Sequence, residues 1–404
     1  MPPALAAMRR ARKWVSRRKM NRHHLYIATL ACFLTVTAGC ASQKPDSEAK
    51  TTPAQSQSPA ASPALPGMPP VQDPSDIYAA DHTGNLSPVV RDFPSRVYVP
   101  NSGSNTVDII DPATYKIIGH FAVGHQPQHV VPSWDLKRLW VLNDLGDSLT
   151  AIDPVTGKKG ETVPVEDPYN MYYTPDGKFA IVVAEAKERL DFRDPETMKL
   201  VESLKVPCKG VDHMDYTADG RFLIASCEFD AKLIKVDVAN RKLVGTLSLE
   251  KGGMPQDVKT SPDGKVFYIA DMMANGIYLI EPDSFTRIGF MPTGKGTHGL
   301  YVSRDSKVLY VSNRGEGSIS VLDLASRKIV SKWEIPHGGS PDMGGVSADG
   351  KVLWLSGRYN AEVYAFDTSD GHLLSRIKVG KGPHGLCVYP QPGRYSLGHT
   401  GVFR

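Results

Sequence analysis

Histidines and carboxylates recur at one register of a repeating pattern. Aligning the chain on its Asp-Gly turns places two consecutive positions at the start of each repeat's first apolar run. The first position holds Gln128, Tyr169, Asp212, Gln256, His298, Asp342 and His384, and the second holds His129, Asn170, His213, Asp257, Gly299, Met343 and Gly385. Four imidazoles (His129, His213, His298, His384) and three carboxylates (Asp212, Asp257, Asp342) thus occupy equivalent places. Imidazole and carboxylate are the usual ligands of zinc, copper and iron, and separate repeats can each supply one. The same groups can serve acid–base chemistry, with His384 or His298 as the base. The plainer use is to cap strand ends and hydrate a channel. Arg358 and Arg314 follow the second run of their repeats, where a guanidinium can grip a carboxylate or phosphate, or pair with Glu316 or Asp342.

Sulfur adds a second set. Cys208 precedes one first run and Cys227 ends the next run, so both are expected on the rim that carries the histidines. In an exported protein a disulfide is the natural outcome; a thiolate pair beside His213 is the alternative, a metal site. Cys387 lies inside an apolar run and reads as core. Met171, Met214, Met254, Met272, Met273 and Met343 fall on or near the same rim, where thioethers suit Cu(I) but more often fill packing gaps.

The elements that must position these residues are short strands. From 308 to 323 the chain runs Val-Leu-Tyr-Val-Ser-Asn, Arg-Gly-Glu-Gly, Ser-Ile-Ser-Val-Leu-Asp, two β-type runs about a glycine-bearing turn. Seven copies of the second run end in an acid, at Asp111, Asp153, Asp194, Asp237, Glu281, Asp323 and Asp367, with spacings of 41 to 44 residues. That period, with four strands per unit, predicts an all-β, seven-bladed β-propeller. First strands are predicted near 129–133, 170–174, 213–217, 257–261, 299–303, 343–347 and 385–389. The first unit lacks a first strand and the last first strand (385–389) lacks followers. Pairing of these amino- and carboxy-terminal strands is expected to close the ring and remove open edges.

Tyr98-Val99-Pro100-Asn101 and Tyr310-Val311-Ser312-Asn313, each followed by a Gly/Ser turn and a strand ending in Asp, resemble the YVTN-type β-propeller repeat family over roughly residues 95–390. The resemblance extends to the haem d1 domain of cytochrome cd1-type nitrite reductase, which is eight-bladed, and to lactonase-like propellers. A channel-mouth histidine ring is also similar to the copper-binding ring of seven-bladed nitrous oxide reductase domains, although other repeats here supply Gln, Tyr, Asn or Asp. The fold follows from the resemblance more directly than any function does.

Residues 1–24 carry eight basic side chains and no acid, followed by an apolar stretch from 25 to 36 and then Thr37-Ala38-Gly39-Cys40. A basic segment, a short apolar segment and small residues describe an export signal. The ending resembles a bacterial lipoprotein box, which implies lipidation of Cys40; an uncleaved anchor is the alternative, and Arg17-Arg18 leaves Sec or Tat export open. Removing 1–40 turns the formal charge from +4 to −4. With no long Lys/Arg cluster left, no nucleic-acid partner is expected. No P-loop or dinucleotide fingerprint occurs.

The expected organisation is a lipoprotein signal peptide (1–40), a flexible Ser/Pro/Ala-rich tether (41–91) and the propeller (92–404). The tail 390–404 is expected to fold over one face, with His399 a candidate to join the rim. The functional expectation is a monomeric, extracytoplasmic module, anchored to the bacterial membrane through Cys40, that binds an envelope protein or small ligand. Rim residues His129, Asn170, Asp212, His213, Asp257, His298, Asp342, His384 and Arg358 would form the binding site, and no cofactor is required. The alternative is a lactonase- or lyase-like, or redox, propeller with a transition metal on His129, His213, His298 and His384.

Overall fold

The computed structural model describes residues 64–399 and 402–404. The signal segment, Cys40 and tether residues 41–63 lie outside the described residues. The rest forms seven antiparallel blades of four strands each. The repeating acid has a local cause. Asp111 accepts from the Ala113 amide (3.0 Å) and the Thr114 hydroxyl (2.7 Å), and Asp323 holds Ser326 in the same way, so each acid closes the turn into the outer strand.

Burial falls from the channel outward. Inner strands such as Val211–Tyr216 and Pro255–Thr260 are buried throughout, whereas outer strands such as Lys159–Pro164 are nearly all exposed. The core therefore lies between blade faces, where apolar residues of the middle strands, including Trp140 and Trp354, interleave. The ring closes as expected: Arg96–Asn101 pairs antiparallel with Cys387–Tyr389, with Tyr98 opposite Cys387.

Inner strands begin about two residues earlier than predicted, for example Pro127–Pro132 and Pro341–Val346. Each starts with a break in register, between Pro127 and His129, Val211 and Met214, or Pro341 and Gly344. Regular strand neighbours point to opposite faces, and a bulge re-aims them. The irregularity lets Asp212 and His213, adjacent in sequence, face the same cluster.

Two expectations are corrected. The tether does not extend to residue 91, because 64–91 packs on the far face of the ring. Leu65, Ile77, Tyr78, Ala80 and Val90 are buried; the Leu65 amide bonds Asp219 O, the Ile77 amide bonds Pro262 O, and Tyr78 donates its hydroxyl to Thr260 O (2.7 Å). Few apolar residues suffice here, since each fills a gap between turns. The tail does not lie over a face either. It enters the channel from that far side as a hairpin, Ser396–Gly398 with Val402–Phe403, and Gly398 pairs with Tyr172 on the inner edge of the third blade. An open inner edge offers the ladder partners that a buried tail needs. Gly398 (φ +93°) lies so close to the Met171 carbonyl and Tyr172 that a side chain has no room. Tyr395, Leu397, Val402 and Phe403 fill the channel, and the His399 amide donates to Met171 O (2.8 Å).

Candidate functional site

At the near end of the channel five imidazoles meet: the four found from repeat spacing and His399 from the tail hairpin. All are at most 2% exposed. Ring centroids are 4.8 Å apart for His129–His384 and His213–His399, 5.4 Å for His129–His399 and 6.2 Å for His298–His384. The donor atoms fall into two groups, His129/His213/His399 and His298/Asp342/His384, each within 4.8 Å.

Hydrogen bonding orients the first group. His129 Nδ1 donates to Tyr169 O (2.9 Å), which leaves Nε2 a buried lone pair without a partner. His213 Nδ1 lies 2.6 Å from Asp212 Oδ1, close though not aligned as a hydrogen bond, and its Nε2 is also unpartnered. A carbonyl or carboxylate behind one ring nitrogen and a free lone pair on the other is the arrangement found at metal-bound histidines. His399 Nδ1 receives the Asn170 amide (3.0 Å) and its Nε2 has no partner, 3.9 Å from Asp257 Oδ1. Asn170 Oδ1 is held by the Met171 amide (2.8 Å), so its NH2 faces Nδ1 and the neutral ring carries its proton on Nε2. Ligation through Nε2 would require Asn170 to turn over and give up that bond.

Burial lowers the pKa of His129, His298, His384 and His399 well below the usual imidazole value, with neighbouring His213 or the Arg314 and Arg358 guanidiniums adding to the effect. These four are neutral near pH 7, the ligating form. Burial also opposes a charge on His213, but the Asp212 carboxylate outweighs it and raises that pKa. Burial, with Asp212 alongside, raises Glu228, and burial raises Glu185 and Asp257.

The second group is different in character. Asp342 Oδ1 is 2.9 Å from Arg314 Nη1 and 3.1 Å from His298 Nδ1, and Oδ2 is 3.7 Å from Arg358 Nε and 3.6 Å from His384 Nε2.

Among the predicted rim residues, His129, His213, His298, His384, Asp212, Asp342 and Arg358 come together. Asn170 and Asp257 act from beneath: Asn170 holds His399, and Asp257 accepts the backbone amides of Val258 (2.9 Å) and Leu300 (2.8 Å). His399, named as a candidate from the tail although it lies beyond the last repeat, joins the cluster; Glu228 was missed, and its place next to Cys227 was the available signal. Cys208 and Cys227 form a disulfide, not a thiolate pair. Four of the six thioethers are engaged: Met343 Sδ contacts His298 Nδ1 (3.1 Å), Met272 Sδ contacts Arg314 (2.8 Å), and Met171 and Met214 pack in the core, whereas Met273 is exposed.

Fold and site define a seven-bladed propeller whose channel, plugged from one end, holds buried histidines at the other. The chain belongs to the YNCE-like β-propeller family, whose pattern matches residues 60–392. Similar solved structures include hydrazine synthase of Kuenenia stuttgartiensis (20% identity, TM-score 0.58, 70% of this chain and 98% of that one). The periplasmic gluconolactonase PpgL of Pseudomonas aeruginosa is also similar (18%, TM-score 0.63, 74% and 99%). So is the dihydro-haem d1 dehydrogenase NirN in complex with DHE (17%, TM-score 0.57, 80% and 82%). These likenesses bear on fold, in line with the haem d1 and lactonase resemblances. No curated protein matches the sequence significantly.

Proposed function

We propose that this protein is a lipid-anchored, extracytoplasmic propeller that holds a transition-metal ion at His129, His213 and His399. Of the two readings left open by the sequence, an interaction module or a metallo-propeller, the site favours the second. One observation carries it: buried imidazole nitrogens without partners converge from separate blades and the tail, those of His129 and His399 on neutral rings. Leaving such groups unpaired costs roughly 1–3 kcal/mol each, which a metal would recover. The set of imidazoles with nearby carboxylates suits zinc, copper or iron. The buried Cys208–Cys227 disulfide supports an oxidising compartment, as does the export signal ending at Cys40.

The test is metal content of the full chain, expressed with its signal in an exporting host and purified without chelators. About one equivalent per chain is expected, lost in His129→Ala and His213→Ala variants that still melt cooperatively. A folded protein that carries no metal and takes up no zinc, copper or cobalt overturns the proposal and returns the search to partner proteins. Replacing Cys40 with Ser is expected to release the protein from the membrane fraction.

A further inference from the structure

The two sides of the histidine cluster carry opposite charge. Toward the third to fifth blades stand the buried carboxyl groups of Asp212, Asp257 and Glu185 and the half-buried Glu228, around the His129/His213/His399 group. Toward the sixth and seventh blades stand Arg314 and Arg358 with one carboxylate between them, Asp342. The two guanidiniums share one contacting carboxylate, and the next carboxyl to act on Arg314 is Glu228.

These charges sit where little water reaches them. Arg314 is 9% exposed and fixed by Asp342, Met272 Sδ and the Tyr359 ring 5.5 Å away. Arg358 has no hydrogen-bond partner at its buried Nη1, and its Nε is 3.7 Å from Asp342, beyond a hydrogen bond. His384, 98% buried, has an unpartnered Nδ1, and Asp342 keeps an unpartnered Oδ2. Tyr169 walls the same space, with its ring 5.4 Å from His129 and 6.4 Å from His384. A second cation would have to sit beside both arginines, so His298/Asp342/His384 is a poor metal site despite its donor atoms. A guanidinium fork with a free edge matches the oxygens of a carboxylate or phosphate.

The geometry points to a small oxyanion, a carboxylate or phosphate group, bound between the metal at His129/His213/His399 and the guanidinium of Arg358. One oxygen of the ligand would face a metal held by His129, His213 and His399, and another would accept from Arg358 Nη1. Arg314 and Asp342 hold Arg358's side of the pocket in place, and His298 and His384 supply neutral imidazoles beside the ligand. This inference rests on the metal reading and assigns the ligand class to that site.

The experiment uses the full chain loaded with Co(II), whose visible spectrum reports changes in its ligand sphere. Acetate and inorganic phosphate are titrated separately, with chloride as a spherical control. Expected is a saturable change with acetate or phosphate and a weaker one with chloride. Arg358→Gln should weaken the oxyanion response at least tenfold, and Arg358→Lys, which keeps the charge without the fork, should recover part of it. The Co(II) spectrum of each variant before anion addition shows separately whether metal was lost. If acetate alone responds the ligand is a carboxylate, and if phosphate alone responds it is a phosphate. Co(II) uptake with no response to either, or an unchanged response in Arg358→Gln, overturns the inference and leaves the metal reading standing. No Co(II) uptake overturns both.

Discussion

The two ends of the channel are built from similar residues and treat them differently. At the far end, charges are mostly matched. Arg404 Nη2 is 3.1 Å from Asp215 and lies 4.6 Å over the Tyr78 ring, and Arg304 donates to Val346 O (2.8 Å) and to Gln391. At the near end, His129, His213, His384 and His399 all keep ring nitrogens without partners. Both ends are buried, so solvent access does not explain the contrast. Buried polar groups with a purely structural role are paired. The far end is a plug, and the cluster of unpartnered nitrogens at the near end is what the proposed metal would engage.

Removing the plug should have the largest effect. A chain ended at Tyr389 loses the burial of Tyr395, Leu397, Val402 and Phe403. At roughly 1.5–3 kcal/mol per side chain, the loss is on the order of 5 kcal/mol or more. Cooperative thermal unfolding is expected to vanish or drop steeply. If melting is unchanged, the tail is no plug. Substituting only the tip, His399→Ala, should leave melting nearly intact and weaken metal binding by about 10- to 100-fold, read by chelator competition.

The far end also carries unpartnered atoms, at Asp81 Oδ1, Arg394 Nε and Arg404 Nη1, but scattered rather than gathered on one cluster. Burial pushes the Asp81 carboxyl up to about 7, despite Arg304, Arg404 and Lys259 nearby. A folded pKa above the unfolded one means that the folded state binds the extra proton, so stability declines as pH rises from about 4 through about 7. The loss is at most about 4 kcal/mol. Asp81→Asn should remain level over that range, so its advantage over the wild type should grow between urea titrations at pH 5 and pH 8. Equal slopes would mean that Asp81 is paired after all. The disulfide contributes a comparable increment on the near face. Closing the loop between Cys208 and Cys227, 19 residues apart, should contribute about 3 kcal/mol. Paired Cys→Ala substitution is expected to lower the urea midpoint accordingly, with metal stoichiometry retained.

The propeller was legible because its period is carried by residues with local jobs. Asp-Gly closes the inner turns and an acid closes the outer ones, so both recur wherever a blade does. Four of the five histidines were legible for the same reason, as equivalent positions of a repeat converge on one axis. What the repeat does not contain was legible only as a candidate, without its route. His399 arrives on a hairpin that pairs only once with the ring, and no periodicity marks it. Residues 64–91 read as a tether because composition averages over a segment, whereas docking depends on a few anchors such as Leu65, Ile77 and Tyr78. Asn170 and Asp257 were expected on the rim by register, and they lie beneath the cluster instead. Their role was not visible, because it is set by His399 and by backbone amides of the next blade.

The subtlest test separates packing from ligation at the near end itself. Gly385 takes the second site position in the blade that closes the ring, and its Cα faces the His129 ring. A Cβ there would overlap His129 Cδ2 and crowd Nε2, at 3.0 Å. The neighbouring strands are tied at this point, since the Gly385 amide donates to Gln128 O (2.9 Å) and the Val130 amide to Gly385 O (3.0 Å), so the backbone cannot easily withdraw. In Gly385→Ala the ring must therefore rotate, breaking its bond to Tyr169 O and turning Nε2 off the cluster. The stability cost should be modest, about 1–3 kcal/mol, as for other overpacked sites. The effect on metal affinity should be larger, because ligand geometry tolerates less displacement than packing does. If affinity and stability fall together by the same increment, His129 is part of the packing. If affinity falls further, the free edge of its ring is what the near end was built to present.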